Sequence, residues 1–383
     1  MKNRKNPRNL PADAGVVGIP YKLLDWINPQ RLNPRYLSRN PHAIQWLEKN
    51  PDKIDWSELC RNKSPFAMYL LEKNPDEIVW NSLSENDNPS AIRMLEKKIQ
   101  STPWYQGYVD WWEENVLGRY YYYETYLQRI SWFTLSANPG AIHLLEQYPH
   151  IIHFEGLCCN PNLNLWAMRV LENNLDKIDW SYLSQNPSIF AKQLFETYPD
   201  KICWRYLSTN SSDWAIQLLK QNPDKINGYS LSKNTHPAIY RIFETKITQN
   251  IKHNDVELKY THIDWFFLSG NPSAWAIQLL ENRILEQKHK DEPNLPLTEY
   301  NFSNAIDNWM LSKNPNAIQL LKQNQHRISY LDFSRNPNIF TYDYEEMKLF
   351  KNRLHEDLIQ TMFHPTNIEK FEGWGFDTYD DCE

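Results

Sequence analysis

The chain has 383 residues, 41% hydrophobic and 23% charged, a composition that folds rather than staying disordered. Its 10 glycines are few for tight hairpins or phosphate-cradling loops, its 24 prolines suggest many short helices each begun at a proline, and a net charge of −6 gives no overall pull on nucleic acid. No stretch approaches the roughly 18 apolar residues of a membrane span. The five cysteines form no CxxC pair, so neither a disulfide framework nor a zinc site is expected, and a reducing, intracellular setting is.

The chain opens on a polar, basic segment with Lys2, Arg4, Lys5 and Arg8 and no signal-peptide core. Residues 1–31 read as a basic arm followed by an N-terminal cap.

From residue 32 to residue 340 one pattern recurs eleven times. Its anchor is a leucine (phenylalanine in the last copy): Leu37, Leu59, Leu83, Leu135, Leu157, Leu183, Leu207, Leu231, Leu268, Leu311 and Phe333. Three residues beyond each anchor stands an asparagine: Asn40, Asn62, Asn86, Asn138, Asn160, Asn186, Asn210, Asn234, Asn271, Asn314 and Asn336. Five residues before each anchor is an aliphatic residue, isoleucine in ten of the eleven copies. The spacing predicts an all-α fold, an α-solenoid of about eleven two-helix repeats of 22–26 residues with a cap at each end.

Each column has a physical role. Asp before Trp, as in Asp55-Trp56 and Asp179-Trp180, reads as the N-cap of a short first helix ending near Leu-Ser. The Asn-Pro that follows reads as the start of a second helix of about ten residues, with the asparagine capping it and bonding the next repeat's backbone. A second Asn-Pro (Asn50-Pro51, Asn74-Pro75, Asn222-Pro223) reads as its end, with the asparagine in the left-handed conformation. The Trp column (Trp56, Trp80, Trp132, Trp180, Trp204, Trp265) reads as filler between stacked helix pairs, ahead of the alternative of base-stacking platforms. Cys60 and Cys158 fall in the Ser column and read as small-residue replacements.

Insertions interrupt the array near residues 97–129, 246–261 and 282–305. The first is dense in aromatics, too many for one buried helical stripe, so Trp104, Tyr105, Tyr108, Trp111, Trp112, Tyr121 and Tyr122 are candidate anchors for a protein partner. His143, His150 and His153 lie close in sequence but lack carboxylate or cysteine companions at ligand spacing. After the array, residues 341–376 read as capping helices, with Met347, Phe350, Leu354 and Leu358 on one face, and 377–383 as an acidic tail. No catalytic, cofactor or metal motif is present, so no enzyme, cofactor or metal is expected.

The unit LSxNPxAIxLLExNPDKIxW resembles the short repeats abundant in proteins of giant DNA viruses that infect amoebae and algae. The resemblance covers residues 32–340, and the segment MFHPTNIEKFEGWGF (362–376) resembles a closing segment of such proteins. It implies a viral origin, a host-cytoplasm or virion location and an interaction role, with no activity attached. The expected function is a non-catalytic scaffold binding host or viral proteins. A virion structural component and a single-stranded-RNA reader are the alternatives, and the charge argues against the second. Oligomeric state is not fixed by the sequence.

Overall fold

The computed structural model describes residues 20–101, 129–243, 263–289 and 305–362. Among them the fold is all-α apart from one pair of three-residue strands, β1 (Tyr21–Leu23) and β2 (Phe340–Tyr342).

One repeat shows the construction of the rest. In repeat 2 the first helix, Trp56–Cys60, starts where the Asp55 carboxylate accepts the Glu58 N–H at 2.9 Å. Asp179, Asp264 and Asp307 do the same for the N–H groups of Tyr182, Phe267 and Met310. The anchor leucine is fully buried, and the second helix, Pro65–Lys73, begins at a Ser64 cap and buries Ala67 and Leu71. A one-turn 3₁₀ helix, Pro75–Glu77, then leads into repeat 3. Helices of four to nine residues cannot stand alone in water, so stacking between repeats must hold them.

Three details differ from the sequence reading. Asn50, Asn74 and Asn222 are not left-handed: their φ values are −131°, −128° and −129°. Each side-chain amide donates to the carbonyl four residues back, at 2.8–2.9 Å. The following proline has no N–H to offer, and the side chain donates to a helix-end carbonyl in its place; the Leu70 carbonyl also accepts the Asn74 N–H at 3.1 Å. The prolines after Asn40 and Asn138 do not open the second helices, which begin three residues later, at Ile44 and Ile142. The repeat asparagines donate to the preceding repeat, not to the next one.

That donation forms a ladder. Asn62 Nδ2 donates to the Ser38 and Asn40 carbonyls at 2.9 and 3.1 Å, and its Oδ1 accepts the Ser64 N–H at 2.9 Å. The same pair of rungs recurs at every later asparagine, through Asn336 on the Ser312 and Asn314 carbonyls. A second ladder runs through the Ser column, whose hydroxyls accept the N–H of the next repeat's cap, as Ser38 does from Asp55 at 3.0 Å. A buried amide with all its bonds made holds register, and one left unmade would be costly.

Both ladders close on themselves. Asn40, in the first repeat, donates to the Ser334 and Asn336 carbonyls of the last, at 3.2 and 2.9 Å. Ser334 Oγ accepts the Asn33 N–H at 2.7 Å. The Arg31 guanidinium covers the Tyr330 ring at 3.8 Å, as Lys225 covers Trp204 at 4.5 Å within the array. Repeat 1 therefore stacks on repeat 11 as any repeat stacks on its predecessor, and the eleven repeats form a ring. Beside this seam β1 pairs antiparallel with β2, Lys22 opposite Thr341. The expectation of two open ends under caps is corrected here, because each terminal repeat covers the other. In keeping with this, the helix Tyr344–Met362 leaves Leu358 half exposed, at 51%. Met347 is partly buried, and the side chains of Phe350 and Leu354 lie outside the described residues.

Helices stacked at ~8–10 Å and closed in a circle of eleven have axes on a circle of roughly 14–18 Å radius. Subtracting a helix half-width of ~5–6 Å leaves an opening on the order of 15–25 Å across.

Candidate functional site

The first helices line the opening. Arg39 of repeat 1 reaches Glu85 of repeat 3 at 3.7 Å, and Arg335 of repeat 11 reaches Glu58 of repeat 2 at 3.2 Å. Side chains can skip a repeat in this way only on the concave side. Helical geometry dictates which residues face there. With the anchor and the serine after it buried, the positions two before, one before and two after the anchor share the opposite face, three and four residues apart.

These inner positions differ from copy to copy. Around the seam they form a belt of ion pairs. Lys313 meets Asp332 at 3.5 Å, Arg39 meets Glu58 at 3.8 Å, and Arg61 meets Glu85 at 3.0 Å, with the two pairs above crossing between them. Burial lowers the Lys313 ammonium from its usual range, and the Asp332 carboxylate opposes that shift. Ten of the eleven contacts between repeats are also bridged by the chain itself. The seam between repeats 11 and 1 has no such link, and the belt lies across it.

Away from the seam the inner face mixes polar residues such as Glu155, Gln185 and Arg205 with large apolar ones. Two residues before the anchor stand Phe133, Tyr229, Trp309 and Leu331, exposed by 37%, 48%, 43% and 47%. Three of these belong to the stretch from repeat 8 to repeat 11, where Phe266 holds the same position and its ring lies 6.2 Å from that of Trp309. Lysines lie over the rings here: Lys313 Nζ is 3.4 Å from the Trp309 centroid, and Lys233 Nζ is 3.7 Å from that of Phe267. Repeats 4 and 5 approach closely at Gly156, where a Cβ would sit 2.3 Å from the Phe133 carbonyl oxygen.

The residues singled out from sequence fall as follows. Trp104, Tyr105, Tyr108, Trp111, Trp112, Tyr121 and Tyr122 lie outside the described residues. All eleven repeat asparagines are buried, at 0–3% exposure, and held by the ladder. The Trp column is half buried against the core, with Trp265 fully enclosed. His150 sits in a 3₁₀ turn, while His153 caps the next helix, its Nδ1 accepting the Gly156 N–H at 3.4 Å. Among the described residues no group of three or more His, Cys, Asp or Glu could hold a metal, and no helix is long and apolar enough to cross a membrane. Cys60 replaces a ladder serine, its Sγ accepting the Val79 N–H at 3.3 Å. Burial pushes its thiol up to about 11 and that of Cys158 up to about 12. Both therefore stay protonated and unreactive near neutrality.

The inner face itself was missed by sequence reading. The available signal was the contrast between columns: the anchor, Ser and Asn positions recur around the chain, while the three inner positions do not. Comparison with family models, curated proteins and solved structures finds no match to this chain.

Proposed function

We propose that this protein is a non-catalytic recognition ring, a scaffold that holds a partner macromolecule against its inner face. One observation carries the reading. The buried positions repeat through the eleven copies, whereas the inner positions are different in each and include exposed Phe133, Tyr229, Trp309 and Leu331. A face that served only to be solvated would gain nothing from large apolar side chains, and exposed aromatics are the usual anchors of interfaces. The viral origin and a viral or host protein partner rest on the resemblance of the repeat alone.

The test places a photo-crosslinking phenylalanine analogue at Trp309 on the inner face or at Ile189 on a second helix, then exposes the protein to infected-cell lysate. The reading predicts adducts from position 309 that position 189 does not give. Identical adducts from both positions would remove the inner face from the account.

A further inference from the structure

Resting on that reading, we propose that residues 372–383 of this same chain occupy the inner face of repeats 6 to 10, as a tethered occupant that a partner must displace. Charge complementarity is the first observation behind it. Seven Lys or Arg stand at inner positions around the circle against four Asp or Glu, although the whole chain carries −6. Two of those acids, Glu58 and Asp332, are buried, at 5% and 2% exposure. From repeat 6 to repeat 10 no acid stands at an inner position, while Arg205 and Lys233 are exposed among Tyr229, Phe266 and Trp309. Residues 372–383 supply the complement. They hold five acids (Glu372, Asp377, Asp380, Asp381 and Glu383), three aromatic residues (Trp374, Phe376 and Tyr379) and no Lys or Arg. Of the other segments outside the described residues, the one with the most acids, 102–128, spreads four of them and an arginine over 27 residues.

Reach is the second observation. The helix Tyr344–Met362 starts beside the seam, with only Asp343 between it and β2, and its 19 residues make it ~28 Å long. Extended chain covers up to ~3.3–3.6 Å per residue, so about nine residues, 363–371, return from the helix end to the seam whichever way the helix points. The twelve that follow span up to ~40 Å, more than the ~15–25 Å of the opening. The tether also holds them at an effective concentration on the order of millimolar, which an untethered peptide or nucleic acid does not have.

The test is made on the full chain, with a photo-crosslinking phenylalanine analogue replacing Phe376 or, separately, Tyr379. A dilute mixture of isotopically heavy and light chains is illuminated, and the links are mapped by mass spectrometry. The expected result is a link within one chain to inner residues of repeats 6 to 10. Its yield should fall about threefold or more when Arg205→Gln and Lys233→Gln are combined, and again in about 1 M salt, where the screening length is ~3 Å. Lys192→Gln, which removes an exposed charge from a second helix, should leave the yield unchanged. Unchanged melting temperatures would show that these surface variants remain folded. Three results would overturn the inference: links only to the helix Tyr344–Met362, to second helices or between chains; no link from either position; or an inner link indifferent to the two cations and to salt. None of these touches the lysate contrast between positions 309 and 189, which separates failure of this inference from failure of the broader reading.

Discussion

Replacing Asn40 by alanine distinguishes a ring from an open array, because the residue sits in the first repeat. In an open array its amide nitrogen would have no preceding repeat to bond, and only the contact of its oxygen with the His42 N–H would remain. In this structure it makes three bonds: to the Ser334 and Asn336 carbonyls at 3.2 and 2.9 Å, and from the His42 N–H at 3.0 Å. Asn186, in the middle of the array, makes the same three, to Cys158 and Asn160 at 2.8 Å each and from Ser188 at 2.9 Å. A hydrogen bond contributes about 1 kcal/mol net, and a buried carbonyl left without a partner costs more. Each alanine variant should therefore lose about 3–5 kcal/mol. In an open array Asn40→Ala would lose only the His42 contact, about 1 kcal/mol. Urea unfolding followed by tryptophan fluorescence gives both values from midpoints and slopes. The ring predicts similar losses at the two sites. A loss at Asn40 of a third or less of that at Asn186 would refute the closure.

Other consequences can be checked in parallel. Arg335→Ala leaves Glu58, whose side chain is 7% exposed, without its closer partner, and should cost about 1–3 kcal/mol in the same urea assay. Gly156→Ala should destabilise by more than 1 kcal/mol, because the added methyl meets backbone and not a movable side chain. The buried thiols set an alkaline limit. With Cys158 held near 12 and Cys60 near 11 against an unfolded value of 9.0, the unfolded chain ionises first as pH rises. Stability is then fully present below about pH 9 and is lost progressively between pH 9 and 12. The double variant Cys60→Ser, Cys158→Ser, which restores the Ser column, should show a shallower loss over that window in thermal melts, and an identical loss would contradict the assignment.

The repeat was legible because each of its columns answers a local requirement. Asp179 must cap a short helix, Leu183 must bury, and Asn186 must satisfy carbonyls, so each leaves a periodic mark on the sequence. Asparagines at 50, 74 and 222 were recognised as helix ends but given the wrong conformation. Their bond is made by the side chain, and residue type alone does not tell a left-handed residue from a back-bonding one. Closure was harder to see, because it depends on a small rotation per repeat summed over eleven copies. A hint was nonetheless present. Repeat 1 keeps Asn33, Leu37, Ser38 and Asn40, and repeat 11 keeps Phe333, Ser334 and Asn336. Capping repeats would have replaced such inward-bonding residues with solvated ones. The inner face left no periodic mark, since Arg39, Glu85, Lys233 and Trp309 have no common requirement to meet.

The most direct test of the ring is a covalent link across its seam. Lys22 and Thr341 are opposite partners in the β1–β2 pair, although 318 residues lie between them in the chain. Cysteines at both positions should form an intramolecular disulfide under mild oxidation of dilute protein. Non-reducing peptide mapping would then show residues 22 and 341 joined, with the mass of a single chain. Absence of that link, or its formation only between two chains, would show that the array does not close on itself.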